Sequence, residues 1–461
     1  MKIRITKIII KNFRGIRSSE ITFSETNFLI GNNGTGKTSC LAVIARLMPI
    51  LRGEERVFLD GDFLFTTGET AKSIELIYYF DLIFDKQTKK QSIELKVQGI
   101  RAENGIMRSH LNDQKVGIVF TDYSEKSDVI SVIEKLNRSG FFSQRIIRNG
   151  WGGGRICPIS LETNQRQKHA ATSTKEESGA FDGLRARLVQ ELLSTDLGKI
   201  VNQDHPALLK NVLYFTNKFL GEERFVDIQI GYSEMLNIVR SDNSIQSWDG
   251  LSGGEQSAFN LAMTIEFSRV SESQFLIIEE PETTLHPSIQ RSFLNVVNQY
   301  LPDRQIFIST HSPYIFENYL LQTNMILGKK TAEGAFLCNP DSRLWLFSNV
   351  SWGELSFHAF ELATFEYHNE LYGWIQERTG NWKEKQIDNY FVQLGYKQNK
   401  KWIRSQNGKL ITCNRTVMTY IRNYTHHPEN TNNKKYTEDE LQDSISNLMQ
   451  IVQEIRNKNN A

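Results

Sequence analysis

Apolar and polar positions in the first thirty residues spell strands. Lys2-Ile3-Arg4-Ile5-Thr6-Lys7-Ile8-Ile9-Ile10 alternates and then becomes continuously apolar, the pattern of a strand entering a sheet. Asn12-Phe13-Arg14-Gly15 reads as a turn, Glu20-Ile21-Thr22-Phe23 as a second strand, and Asn27-Phe28-Leu29-Ile30 as the end of a buried third. Residues 39–48 carry helical spacing. Beyond them, residues 74–80 and 92–97 look strand-like, while 128–136, 184–193 and 207–219 look helical. Residues 257–270 predict a further helix, and the apolar runs at 275–278 and 305–310 predict buried strands. From about residue 351 the pattern is helical, with Phe360, Ala363, Tyr367, Leu371 and Trp374 on one face. Helices over 383–394 and 416–424 follow. The last helix starts at a capping box, Thr437 to Glu440, and buries Leu441, Ile445, Leu448, Val452 and Ile455.

These elements predict an α/β head over residues 1–345, with a mixed α/β lid inserted at about 50–245. A small all-α domain over residues 346–461 completes the expected architecture. No sustained heptad seam appears, so long coiled-coil arms are not expected. Within the insertion, residues 164–179 are polar and read as a mobile loop.

Composition narrows the class. A chain of 461 residues has room for two or three domains, and 23% charged with 39% hydrophobic residues excludes wholesale disorder. A formal net charge of +1 is silent about nucleic acid, because a basic patch can hide in a neutral total. Cys40, Cys157, Cys338 and Cys413 lie far apart, with no C-x-x-C or C-x-x-H, which excludes a zinc knuckle and argues against a disulfide framework. The opening is strand-like rather than a signal peptide, and no apolar run approaches membrane length. The expectation is a cytoplasmic protein with no membrane partner.

The candidate chemistry centres on Gly31-Asn32-Asn33-Gly34-Thr35-Gly36-Lys37-Thr38, which fits G-x-x-x-x-G-K-[ST], the P-loop pattern. The glycines let the backbone turn tightly, so that successive N–H groups point at phosphate oxygens. Lys37 is placed to reach the β- and γ-phosphates of ATP, and Thr38 to hold Mg²⁺. The helix opening at Ser39 aims its positive end at the anion.

Two N-terminal strands, an N-F-R-G turn and G-N-N-G-T-G-K-T together resemble the head of SMC/RecF/OLD-type ABC ATPases. In that family the turn lies near the adenine, which makes Arg14 either a nucleotide contact or a surface arginine in a turn. Leu251-Ser252-Gly253-Gly254-Glu255-Gln256 matches the ABC signature. The resemblance implies that Ser252, Gly253, Gly254 and Glu255 meet the γ-phosphate held by a second head, so that ATP joins a homodimer and hydrolysis releases it. Whether dimers build into larger assemblies stays open. Phe275-Leu276-Ile277-Ile278-Glu279-Glu280-Pro281-Glu282 takes the Walker B position, with Glu279 in the Mg²⁺ shell and Glu280 activating water. The family's usual first acid is Asp. Thr283-Thr284-Leu285-His286-Pro287 matches the D-loop, and His311, after the strand at 305–310, the switch histidine. Trp151-Gly152-Gly153-Gly154-Arg155 is either a phosphate-sensing element or a glycine hinge beside a solvated arginine. The Q-loop has no clear position; Gln144 is one candidate. The resemblance covers roughly residues 1–345.

In the C-terminal piece Arg422 and His427 fit R-x-x-x-x-H in a helical setting, an arrangement that resembles HEPN ribonuclease domains. That resemblance implies metal-independent RNA cleavage, with His427 handling a proton and Arg422 stabilising phosphate charge. The plain alternative is a set of cations at a helix C-terminus. The basic stretch Lys397, Lys400, Lys401, Arg404 and Lys409, with Trp402, is either a phosphate-backbone contact or a solvated hairpin. No acidic D-x-D cluster follows His311, so the TOPRIM nuclease of OLD proteins is not expected. Three functions are therefore in view. One is an ATP-gated antiphage effector whose helical domain cuts RNA, with RNA or DNA as the expected nucleic-acid partner. Another is an ATPase scaffold that answers a phage trigger and controls a separately encoded nuclease. The third is a RecF-like repair ATPase.

Overall fold

In the computed structural model, residues 2–51, 58, 60–66, 69–83, 90–101, 107–109, 118–120, 158–160, 207–230, 236–270, 275–283, 287–302, 304–316, 324–340, 350–406 and 409–459 are described. The chain divides into two compact units, residues 1–340 and 341–461. The segments expected to be helical at 128–136 and 184–193, the loop at 164–179, Gln144, residues 151–155 and residues 284–286 of the D-loop lie outside the described residues.

The first unit opens with β1 (Lys2–Phe13), β2 (Ile16–Thr22), β3 (Thr26–Gly31) and α1 (Lys37–Leu51). Next come β4 (Phe65–Thr66), β5 (Glu69–Thr70), β6 (Ser73–Ile83), β7 (Lys90–Arg101), β8 (Met107–Ser109), β9 (Ile118–Phe120) and β10 (Pro158–Ser160). Then follow α2 (Ala207–Leu220), β11 (Phe225–Ile230), β12 (Leu236–Arg240), β13 (Ile245–Ser247) and α3 (Gly253–Val270). The unit closes with β14 (Phe275–Glu279), α4 (Pro287–Tyr300), β15 (Gln305–Thr310), α5 (Pro313–Phe316), β16 (Asn324–Thr331) and β17 (Gly334–Cys338).

Among the described residues a 12-stranded sheet runs β10-β14-β15-β3-β16-β17-β2-β1-β6-β7-β8, with β9 on β7. From β10 to β16 the neighbours are parallel, and β1, β2, β6 and β7 pair antiparallel. Strands β14, β15 and β3 bury nearly every side chain, as parallel strands covered on both faces do. β1 explains the odd pattern at the start of the chain. Ile3 and Ile5 point into the core, then Ile8 and Ile10, because the register against β6 shifts between Ile5 and Lys7. The bulge moves the inward set by one residue and keeps both halves of the strand on the core face. Those isoleucines pack with Cys40, Leu41, Val43, Ile44 and Leu47 of α1. A second sheet, β11-β12-β13, is separate from the large one, and the rings of Phe225 and Trp248 pack at a tilt against Phe259 of α3.

The second unit holds α6 (Trp352–Phe360), α7 (Phe365–Thr379), α8 (Glu384–Gln393), β18 (Lys400–Gln406), β19 (Lys409–Arg415), α9 (Val417–His426) and α10 (Glu438–Asn459). Its core joins Tyr367, Leu371, Phe391, Ile421, Ile445 and Leu448. Two details correct the sequence expectation. The domain is not all-α, because residues 400–415 form an antiparallel hairpin, Lys400 pairing Arg415 through Gln406 pairing Lys409. The apolar face from Phe360 to Trp374 is also not one helix. Glu361 closes α6 in the left-handed region at φ 55°, and the Thr364 side chain caps α7. The capping box of α10 forms both ways, at 3.2 Å each, between Thr437 and Glu440.

Candidate active site

The order β14-β15-β3, all parallel, brings the carboxyl ends of three consecutive strands to one edge. The P-loop leaves β3 there, the two acids end β14, and His311 follows β15. Open α/β sheets place ligands at such an edge.

Lys37 is 5% exposed, and its ammonium donates to the carbonyls of Gly31 at 2.7 Å and Asn32 at 2.9 Å. Burial pushes its pKa down, while the charges of Glu280, Glu282 and Glu279 oppose that shift. A buried cation bonded only to loop carbonyls is suited to an anion. The loop around it is tight. Thr35 donates its hydroxyl to the Asn32 carbonyl at 2.8 Å, while Asn33 and Gly34 stand exposed at the tip. Gly36 adopts φ +91°, and a Cβ there would meet Ile16 and Leu337 at 3.0 Å. Ser39 lies in the first turn of α1, half-buried.

The Thr38 hydroxyl donates to the Glu279 carboxylate, so the longer glutamate does reach the residue with which an Asp would share a cation. A hydroxyl beside a carboxylate is the hard oxygen pair that Mg²⁺ takes, its other ligands coming from phosphate and water. Among the described residues no group of three His, Cys, Asp or Glu side chains could hold a metal. Glu280 is bent into the left-handed region at φ 44°, with its N–H on the Ser309 carbonyl at 2.8 Å. Its carboxylate lies 3.5 Å from His311 Nε2.

Glu282 is a member of the site that the sequence did not mark. Its carboxylate accepts the His311 backbone N–H and, at 2.8 Å, the Thr310 hydroxyl. Burial raises its pKa against those two bonds. Arg14 sits at φ 49° and bonds Asp62 at 3.0 Å, while Arg46 takes the second oxygen of the same buried carboxylate. Both guanidiniums lie over the Phe13 ring, so any contact Arg14 makes to a nucleotide is made from this anchored position. Asp62 falls in the stretch read only as an insertion and carried no local signal.

At the signature, Ser252 precedes α3 and Glu255 closes a capping box. The Glu255 carboxylate accepts the Ser252 N–H and hydroxyl, both at 2.9 Å. Arg240 at 3.0 Å and Arg224 at 3.4 Å brace its other oxygen. Burial works to raise the Glu255 pKa, and the Ser252 bonds and the Arg240 charge outweigh it and hold the carboxyl below its usual range. Gly253 and Gly254 supply the first N–H groups of α3.

In the second unit, Arg422 and His427 each have a separate partner. Arg422 Nη1 donates to Asn423 Oδ1 at 3.4 Å, and Asn423 passes the contact to Glu384 at 2.9 Å. His427 ends α9 with its N–H on the Asn423 carbonyl at 3.0 Å. Its half-exposed ring lies 3.2 Å from Glu429 and 6.3 Å from the Trp402 ring of the basic hairpin. Burial, with the charges of Arg422 and His427, lowers the pKa of the neighbouring His426.

No helix among the described residues is long and apolar enough to cross a membrane. An "OLD nuclease" from Thermus scotoductus is 24% identical over 341 residues, covering 67% of this chain and 59% of that protein. The chain thus spans about three fifths of that relative's length. Among solved structures, the SMC head domain from Thermotoga maritima is 13% identical, covers 73% of this chain and 99% of its own, and superposes at TM-score 0.39. An SMC head bound to the C-terminal winged-helix domain of ScpA is 15% identical, covers 74% of this chain and 99% of its own, and superposes at 0.45. The family profile described as "AAA domain, putative AbiEii toxin, Type IV TA system" matches residues 26–317. Because that profile spans well over half of the chain and takes in both Lys37 and His311, the chain belongs to this AAA-domain family.

Proposed function

We propose that the chain binds and hydrolyses ATP with Mg²⁺, dimerises head-to-head on the nucleotide, and so gates a nucleic-acid-directed effector in defence against phage. The observation that carries this reading is the convergence of Lys37, Thr38, Glu279, Glu280 and His311 at one sheet edge. ATP with Mg²⁺ supplies the transferable phosphoryl group. Lys37 exchanges its carbonyl contacts for phosphate oxygens, and Thr38 with Glu279 holds the ion and its water shell. Glu280 takes a proton from the attacking water or orients it, and His311 bonds the γ-phosphate. Ser252, Gly253 and Gly254 present a hydroxyl and N–H groups at a helix N-terminus to the partner head's phosphate.

For the effector, the reading assigns RNA cleavage to the second unit, with His427 moving a proton and Arg422 stabilising phosphate charge. The exposure of His427 beside a basic hairpin supports it. A specific observation supports a second reading, a scaffold for a separately encoded nuclease. His427 already serves as the C-cap of α9 and faces Glu429, and Arg422 is occupied by Asn423. The test incubates purified protein, ATP and Mg²⁺ with total cellular RNA and with plasmid DNA, beside the Arg422→Ala/His427→Ala variant. Discrete RNA cuts absent from the variant support the nuclease. Uncut RNA from a protein that turns over ATP points instead to the scaffold and a companion nuclease.

A further inference from the structure

We propose that Glu282 is a positioning residue for hydrolysis: its carboxylate anchors the loop after β15 so that the His311 ring is held beside Glu280. The inference rests on the ATPase reading above. Glu282 makes a closed circuit. One carboxylate oxygen accepts the His311 N–H, and the other accepts the Thr310 hydroxyl at 2.8 Å. The Thr310 oxygen in turn accepts the Ser312 N–H at 2.9 Å. Ser312 donates its hydroxyl to Gln290 of α4, and the Gln290 amide returns to the Glu282 carbonyl at 3.4 Å. Three consecutive residues, Thr310, His311 and Ser312, are thus tied to the turn after β14 and to α4, and Thr310 and Ser312 are buried. His311 keeps its backbone in this circuit while its ring reaches out, Nε2 lying 3.5 Å from Glu280. Thr310 and His311 are too far along the chain from Glu282 for any local turn to bring them together, so this grip is specific to the fold. Charge-assisted bonds to a half-buried carboxylate are the strong kind, and here they hold Thr310 and His311 at once.

A carboxylate that only stapled the fold would affect ATP binding and turnover together, and its loss would add to the loss of His311. A positioning role makes different demands. Glu282→Ala should lower kcat by about ten- to a hundredfold, the scale of a 1 Å misplacement of a reacting group. The KM for ATP should stay within about twofold, because Lys37 and Thr38 make no bond to Glu282. In a double-mutant cycle, Glu282→Ala should cost nothing further once His311→Ala is present. Glu282→Gln, which keeps an acceptor for the His311 N–H, should restore most of the turnover. The experiment is steady-state ATP hydrolysis by the full chain for these five proteins, well below their melting temperatures. Additive losses, or wild-type kcat in Glu282→Ala, would overturn the proposal while leaving the ATPase reading standing. Wild-type turnover in His311→Ala would instead remove the switch role on which it rests.

Discussion

Gly328 of β16 makes no contact with a nucleotide in any reading above, yet its substitution should weaken ATP binding. It pairs with Gly31, the first P-loop residue, in a parallel ladder. A Cβ on Gly328 would lie 2.5 Å from Thr35 Oγ1, 2.9 Å from its Cβ and 3.1 Å from its backbone oxygen. Carbon contacts settle near 3.5–4.0 Å, so something must move by about 0.5–1 Å. Thr35 cannot swing aside. It is β-branched, 2% exposed, and its hydroxyl is bonded to the Asn32 carbonyl. Nor can Gly328 retreat without opening the ladder to β3, so the P-loop itself takes the displacement. Overpacking of this kind costs about 1–3 kcal/mol. If half of it falls on the nucleotide-ready loop, Gly328→Ala should weaken ATP binding by about two- to tenfold. Titration with a fluorescent ATP analogue reads the affinity, and urea unfolding confirms that the variant is folded. Gly373→Ala is the control: it lies within α7 with nothing within 4 Å of its would-be Cβ, and should stabilise by about 0.5–1 kcal/mol. Wild-type affinity in a folded Gly328→Ala would refute the argument that β16 sets the P-loop's shape.

The other expectations follow from charges in the site and in the second core. Lys37→Ala removes a buried cation and should weaken ATP binding by about a hundredfold or more, read by the same titration. Glu280→Gln should bind ATP normally but hydrolyse it about 10²–10⁴-fold more slowly, and should accumulate closed dimers on a sizing column; equal hydrolysis by variant and wild type would contradict the assignment of the water-activating acid. Burial lowers the pKa of His368 from 6.5 to about 4, so the folded chain holds it neutral where the unfolded chain protonates it. Its contribution to stability is full above about pH 6.5 and is lost as pH falls toward about 4, by at most about 3 kcal/mol. Hydrogen exchange of the α10 amides, corrected for intrinsic rates, should show that slope, and His368→Leu should flatten it; an unchanged slope would assign the pH dependence to other groups.

What could be read from the sequence was what is local in it. The P-loop, the signature, the apolar run into Glu279 and the strand before His311 each lie within a dozen contiguous residues, the first marked by its spacing and the others by the family resemblance they carry. The β1 bulge was not legible there, since Ile8, Ile9 and Ile10 are contiguous and only the pairing with β6 selects Ile8 and Ile10 for the core. Asn407-Gly408, between runs that hold Trp402, Ile403, Ile411 and Thr412, is a hairpin signal that supports the solvated-hairpin alternative for this stretch. Hidden were contacts that only tertiary structure makes. Asp62 joins Arg14 to Arg46, Glu282 joins the turn after β14 to the loop after β15, and Arg240 braces Glu255. In each case the partners are polar residues of ordinary type, with no periodicity to mark them and many alternatives nearby.

Three acids within four residues, Glu279, Glu280 and Glu282, hold three different posts, and backbone geometry is what separates them. A strand continued past Glu279 would turn alternate side chains to opposite faces. Instead Glu280 adopts φ 44°, a left-handed conformation that costs a non-glycine residue about 1–2 kcal/mol. The N–H bond to Ser309 holds it there, at the point where the β14–β15 ladder runs out. Pro281 then starts a tight turn, and Glu282 comes back toward Thr310. All three carboxylates end close enough to Lys37 to raise its proton affinity against burial. One meets the Thr38 hydroxyl, one faces the His311 ring, and one holds the His311 backbone. Strain at a single residue is thus what lets one short segment address Thr38, the His311 ring and the His311 backbone together, the three posts that the proposed hydrolysis needs.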